Sequence, residues 1–125
     1  MDLSPALVAA LPKVALHDHL DGGLRAATVL ELSRELGLPV PGVDDAVSAA
    51  PEASGEGAPG AGTDVDAIAH WFQAAADSGS LPEYLSTFEH TVALMQTAPQ
   101  LRRIAREFVE DMAADGVVYA ETRWA

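Results

Sequence analysis

The sequence predicts an α/β fold in which parallel β-strands are joined by helices, and three features indicate it. Residues 13–17 form an apolar run with apolar side chains on both parities near its start, which is typical of a parallel strand covered on both faces. Residues 117–123, directly after Gly116, form a second strand-like run. Between the two runs, apolar residues recur at helical spacing.

The helices are predicted from capping residues and from the 3.6-residue period of the apolar side chains. Ser4 caps a first short helix with Pro5 at its first position, and Gly37 ends a second helix. Capping-box patterns begin at Thr63 and at Ser80. The predicted helices cover residues 5–11, 26–36, 63–79, 80–95 and 101–113.

Two of these helices carry a clear apolar face. The helix that begins near Ser80 has one stripe that is expected to be core, made of Leu81, Tyr84, Leu85, Phe88, Val92 and Met95. The helix over residues 101–113 has the most regular face and is expected to cover the sheet. Its opposite surface is expected to be solvated and to hold i,i+4 ion pairs; it consists of Arg102, Arg103, Arg106, Glu107, Glu110 and Asp111.

Length and composition predict one globular domain over residues 1–125. The chain has 125 residues, of which 49% are hydrophobic and 21% charged. Residues 43–63 carry most of the small and turn-forming residues and offer little to bury. They are therefore predicted to be a flexible surface insertion and not a domain boundary.

The charge balance and the missing residue types exclude several classes of protein. Seven Lys and Arg against 19 Asp and Glu give a net charge of -12, which disfavours nucleic acid and favours a small neutral or cationic ligand. The absence of cysteine excludes disulfides and thiolate metal sites. No apolar run reaches the roughly 18 residues of a membrane span, and the start lacks a signal-peptide pattern, so we expect a cytoplasmic location.

A His-x-His-x-Asp cluster follows the first predicted strand. Because side chains alternate along a strand, His17, His19 and Asp21 would project to one side if the strand persists that far. Two imidazoles on one side can bind a zinc ion or a similar metal. Asp21 is then a third ligand or a substrate contact, and Gly22 allows close approach at the following turn. The alternative is a pair of partly exposed histidines without a ligand.

Three stretches resemble the adenosine deaminases, a branch of the metal-dependent amidohydrolases. Residues 12–22 resemble the family's first-strand signature, residues 80–88 its short helix over the substrate pocket, and residues 117–123 its second barrel strand. Residues 46–62 do not fit the family pattern. The resemblance implies the N-terminal part of a (β/α)8 TIM barrel, with its first two strands and the intervening and covering helices. A complete barrel needs roughly 250 residues, so the chain is expected to be an N-terminal fragment.

The resemblance also implies a site and a reaction. His17 and His19 would bind one zinc ion per subunit, Asp21 would contact the substrate, and Leu81, Tyr84, Leu85 and Phe88 would form a hydrophobic wall. The other metal ligands and the general acid lie on later strands of such enzymes, so no catalytic residue is expected within the chain, and the chain alone is expected to be inactive. The implied reaction is hydrolytic deamination of adenosine or 2′-deoxyadenosine to the inosine nucleoside and ammonia.

Two alternatives stay open at this point. The substrate could be adenine or another adenosine-like nucleoside, although free-base adenine deaminases more often have glutamate where this chain has Asp21. The chain could also be a small helical interaction protein that docks through residues 101–113. His70 and His90 are expected to be structural or surface residues, and a contact between Glu121 and Arg123 is possible because they share a parity. The sequence leaves the oligomeric state open.

Overall fold

The computed structural model describes residues 4–44 and 63–124, and these contain five α-helices, two β-strands and one 3₁₀ turn. All but three residues of the predicted insertion at 43–63 lie outside this part of the chain, so that prediction stays untested. In chain order the elements are α1 (Pro5–Ala10), β1 (Lys13–His19), the 3₁₀ turn (Leu20–Gly22), α2 (Ala26–Leu36), α3 (Asp64–Asp77), α4 (Leu81–Ala93), α5 (Ala98–Ala114) and β2 (Val117–Arg123).

The first of two compact units comprises described residues 4–24 and 95–124. Strands β1 and β2 pair in parallel, and α5 contacts both β2 and the 3₁₀ turn. Ile104 and Phe108 on α5 are buried. The Lys13 ammonium donates to the backbone carbonyl of Asp115 at 2.5 Å and lies 3.4 Å from that residue's carboxylate. This arrangement confirms the predicted parallel α/β organisation.

The second unit comprises described residues 25–44 and 63–94, in which α2 packs against α3 and α3 against α4. Val29, Ile68 and Leu94 are almost completely buried in this unit. Gly42 has a φ of 75°, and a Cβ there would lie 2.8 Å from the carbonyl oxygen of Ala67. Only glycine allows this backbone to approach α3 so closely.

The capping residues predicted from the sequence act as expected. Ser4 accepts from the Leu7 N–H at 3.2 Å, and Ser80 accepts from the Glu83 N–H at 3.4 Å. Thr63 and Asp66 form a full capping box, with the Thr63 N–H donating to the Asp66 carboxylate at 2.8 Å. Gly37 ends α2 in the left-handed region with a φ of 65°. Local chemistry therefore fixes the helix ends.

Two predictions about helix faces are wrong. The stripe that begins on α4 was expected to be core, and its far end agrees, since Met95 is buried. Its first part does not, because Leu81, Tyr84 and Leu85 are exposed and the buried side of α4 carries Thr87 and Thr91. On α5, Glu107 was expected in the solvated face but is buried, where it accepts from the Arg103 guanidinium at 2.8 Å. The predicted i,i+4 ion pair is present and compensates the burial of the carboxylate. The burial itself could not be predicted from the spacing of apolar residues.

The strands expose apolar side chains on the described part of the chain, including Val14, Leu16 and Val118. The sequence indicated strands covered on both faces, as in a complete parallel sheet. A two-stranded sheet with one covering helix leaves part of that surface open. None of the described helices combines the length and the apolar character needed to cross a membrane.

Candidate metal and substrate site

The candidate site begins at the C-terminal end of β1. The strand runs to His19, two residues further than its apolar run predicted. It is irregular at His17, which has a φ of 60°, and the pairing with β2 shifts register between Ala15 and Asp18. Histidine is among the residues that enter the left-handed region more often than most, but the conformation still carries strain. Such strain is found disproportionately at functional sites.

The two histidines come together as the spacing predicted. Their ring centroids are 5.4 Å apart and their planes are inclined by 46°. Two imidazoles on one tetrahedral zinc, each with a nitrogen about 2.0–2.1 Å from the ion, have centroids roughly 5 Å apart. The pair therefore fits a shared metal ion. Within residues 4–44 and 63–124, no group of three or more His, Cys, Asp or Glu side chains is arranged so that it could hold a metal ion.

Asp21 lies beyond the end of the strand, on the 3₁₀ turn, so strand alternation does not place it. Its carboxylate is buried, and its Oδ1 atom has no hydrogen-bond partner. Nδ1 of His19 lies 3.5 Å from this oxygen. A buried acceptor without a donor is costly and marks a position where a ligand or a moved side chain could bind.

The predicted hydrophobic wall is on α4, in the second unit. Leu81, Tyr84 and Leu85 are exposed and Phe88 is half-buried, with the rings of Tyr84 and Phe88 edge to face at 5.5 Å. Thr87 and Thr91 occupy the buried side and donate to backbone carbonyls one turn back. The apolar stripe is thus available to a ligand, because it does not pack into the core.

Comparison with known proteins decides the family. The family model described as adenosine deaminase matches residues 53–125, which is more than half of the chain. The chain belongs to the adenosine deaminase family. The adenosine deaminase of Mycobacteroides abscessus is 51% identical over 124 residues, covering 99% of this chain and 29% of that protein. Adenosine deaminase 1 of Streptomyces coelicolor is 50% identical over 122 residues, covering 98% of this chain and 26% of that protein.

Solved structures agree with the adenosine deaminase assignment. The crystal structure of the Arabidopsis N6-mAMP deaminase matches with a TM-score of 0.62 and 31% identity, covering 96% of this chain and 29% of that one. The predicted fold, the N-terminal part of a (β/α)8 barrel, is confirmed. The chain spans less than a third of the length of these relatives.

Some features of this adenosine deaminase chain were not predicted. The Tyr119 hydroxyl donates to the Glu121 carboxylate at 2.7 Å, and this hydrogen bond raises the pKa of Tyr119. The suggested contact of Glu121 with Arg123 is replaced by this bond, although the shared parity of residues 119 and 121 could have indicated it. The strained backbone of His17 left no signal in the sequence. The spacing of His19 and Asp21 did indicate that they lie on one side, although Asp21 lies on the 3₁₀ turn and not on the strand.

The two remaining histidines occupy surface or packing positions, as predicted. His70 is exposed on α3. His90 is half-buried on α4, with its ring edge to face against Trp71 at 5.2 Å. Both positions are those of ordinary surface or packing residues.

Proposed function

We propose that the full-length protein catalyses the hydrolytic deamination of adenosine and 2′-deoxyadenosine. The observation that carries this proposal is the pair of imidazoles 5.4 Å apart at the end of β1, in a chain 51% identical to an adenosine deaminase. The C-terminal ends of barrel strands are where such enzymes place their reactive groups. Family membership favours this function over a small helical interaction module.

His17 and His19 would hold the metal, which we propose to be one zinc ion per subunit. When bound, zinc supplies an activated water nucleophile at neutral pH. The two imidazoles would hold the ion at the C-terminal end of β1, where their exposure would leave room for water and substrate. Further ligands and the general acid would come from outside residues 1–125.

Asp21 would receive the ribose. Its buried carboxylate has an unmet capacity to accept hydrogen bonds, which the 5′-hydroxyl of a nucleoside could fill. The exposed apolar side chains of α4, Leu81, Tyr84, Leu85 and the half-buried Phe88, would contact the flat purine. The carboxylate and the net charge of -12 both favour a neutral nucleoside over a phosphorylated one.

Substitution of the two histidines tests the proposal. We expect His19→Ala and His17→Asn to abolish adenosine deamination and to lower bound zinc, because each removes one of few protein ligands. Asparagine at residue 17 tolerates the left-handed backbone, so the imidazole is lost with little added strain. Asp18→Asn, on the half-buried residue between them, is the matched control and should retain both zinc and activity.

The measurements are zinc per protomer, determined by metal analysis, and adenosine turnover followed by ultraviolet absorbance. Full zinc content and normal turnover in either histidine variant would overturn the proposal. If the unmutated protein deaminates adenine faster than adenosine, the proposed reaction stands and the proposed substrate is wrong.

A further inference from the structure

We propose that Asp21 is a positioning residue that fixes the tautomer and orientation of His19. In this arrangement the buried Oδ1 of Asp21 accepts the Nδ1–H of His19, which leaves Nε2 of that imidazole to bind the metal. The inference rests on the proposed function, because it assigns a role within the same metal site.

The distance between the two groups supports this pairing. Oδ1 of Asp21 lies 3.5 Å from Nδ1 of His19, just beyond the about 3.2 Å limit of an ordinary N–H···O bond. Oδ1 is fully buried and has no hydrogen-bond partner. A buried carboxylate oxygen that lies this close to a ring nitrogen gains most from the tautomer that places the proton on that nitrogen.

The two side chains differ in their freedom to move. The side chain of Asp21 is 4% exposed and sits on the 3₁₀ turn, which contacts α5 and β2. The side chain of His19 is 48% exposed. The carboxylate is therefore the fixed partner, and a small rotation of the imidazole would bring Nδ1 of His19 within hydrogen-bond distance of Oδ1 of Asp21.

The chemistry of imidazole explains why the proton position matters. A neutral imidazole has one nitrogen that donates and one that accepts, and only the accepting nitrogen can bind a metal. A carboxylate at Nδ1 selects the tautomer with a free Nε2 and increases the basicity of that ligand. Because a carboxylate has two oxygens, the second oxygen can still accept a substrate hydroxyl.

The test uses the full-length protein with ¹⁵N-labelled histidine. Long-range ¹H–¹⁵N correlation spectra of the zinc-loaded protein report the protonated nitrogen of His19, and competition with a chelator reports zinc affinity. We expect Nδ1 to be protonated in the unmutated protein. In Asp21→Asn and Asp21→Ala we expect zinc to bind about 10- to 100-fold more weakly and the His19 nitrogen shifts to change. Asp18→Asn should change neither quantity.

Folding is monitored by thermal melting without zinc, where Asp21→Asn, close in shape to aspartate, should be as stable as the unmutated protein. Unchanged zinc affinity and unchanged His19 shifts in both Asp21 variants would overturn the inference. So would weaker zinc binding that accompanies a lower melting temperature with unchanged His19 shifts, because that pattern describes a structural role. Normal zinc binding by His17→Asn and His19→Ala would instead contradict the proposed metal site, which is a different result from failure of the Asp21 inference.

Discussion

At the scale of single residues, the proposed contact between Asp21 and the ribose predicts which nucleosides the full-length enzyme distinguishes. A buried carboxylate that accepts a substrate hydroxyl loses that hydrogen bond when the substrate lacks the hydroxyl. The full-length enzyme should therefore prefer adenosine to 5′-deoxyadenosine. Asp21→Ala should lower kcat/KM for adenosine roughly 10- to 150-fold, which corresponds to about 1.5–3 kcal/mol of transition-state stabilisation. The preference of the enzyme for adenosine over 5′-deoxyadenosine should also become smaller.

The comparison is made at saturating zinc, so that metal affinity does not enter, and kcat/KM is measured for both nucleosides with both proteins. An equal loss for the two nucleosides would show that Asp21 does not contact the 5′-hydroxyl.

Residue identity and spacing predicted the histidine pair but not its surroundings. His17 and His19 lie close together at the end of β1, and their separation by two residues can be read directly from the sequence. The left-handed φ of His17 depends on how β1 pairs with β2, a strand about 100 residues away in the chain. The burial of Asp21 depends on tertiary packing in the same way. Spacing carries information about local geometry only.

At the scale of elements, the capping box of α3 makes that helix sensitive to acid. Hydrogen bonds from the backbone and hydroxyl of Thr63 hold the pKa of Asp66 below its usual range. A lowered pKa means that the charged form stabilises the fold, fully above the unfolded pKa of about 3.9, and that this contribution is lost as the pH falls through the folded pKa. Asp66→Asn should be less stable than the unmutated protein at pH 6, and the difference should shrink by pH 3.

Urea unfolding of the full-length protein at both pH values measures this difference. Asp64→Asn is unsuitable as a control because Asp64 pairs with Arg34, whereas Asp77→Asn changes a carboxylate at the other end of α3 that accepts from Gln73 at 2.8 Å. A stability difference for Asp66→Asn that is the same at pH 3 and pH 6 would contradict the prediction.

The exposed stripe of α4 should affect substrate binding more than stability. The side chain of Leu85 is 52% exposed, so Leu85→Ala removes little buried surface and should change the free energy of unfolding by no more than about 0.5 kcal/mol. If Leu85 contacts the purine, KM for adenosine should rise several-fold. The matched variant Thr87→Ala, on the buried side of the same helix, should lower stability. A normal KM for adenosine in Leu85→Ala would show that Leu85 does not contact the substrate.

Helix ends were predictable and helix faces were less so, for a physical reason. A cap such as Ser4 or Gly37 acts within a few residues, so its effect can be read locally. The spacing of apolar residues on α4 indicates an apolar face. It does not indicate whether that face packs against the core or binds a ligand. For Glu107, the sequence indicates the ion pair, because its partner Arg103 lies one turn away on the same helix. It does not indicate the burial of Glu107, which depends on packing against other elements. Patterns thus indicate contacts within an element better than contacts between elements.

At the scale of the whole molecule, the composition of the first strand is consistent with the barrel of the family. The chain spans less than a third of the length of its adenosine deaminase relatives, and its described residues contain two strands, whereas a complete barrel has eight. The apolar residues on both parities near the start of β1 suit a closed parallel sheet. This strand character could be predicted from the sequence, whereas a complete set of metal ligands and catalytic groups could not.

An isolated polypeptide of residues 1–125 should therefore associate with itself and bind apolar dyes. Isolated two-stranded sheets are marginally stable, and an open strand edge beside exposed apolar groups is a template for pairing between chains. Leu16 and Val118 lie on the two strands, and Val118 is 72% exposed. Although the net charge of -12 opposes association, it is a long-range effect that salt screens, while the apolar surface remains. Association should accordingly increase as the salt concentration rises from about 10 mM to about 150 mM, because the Debye length falls from roughly 30 Å to about 8 Å.

Light scattering after size-exclusion chromatography and anilinonaphthalene sulfonate fluorescence measure the two properties. The variant Leu16→Lys with Val118→Lys places charges on exposed strand positions, so it should reduce association and dye binding while leaving helical circular dichroism unchanged. A matched variant, Glu110→Lys, adds positive charge on the exposed side of α5 and should leave dye binding unchanged. A monomeric, dye-free polypeptide that unfolds cooperatively would show instead that two strands and five helices suffice for an independent fold.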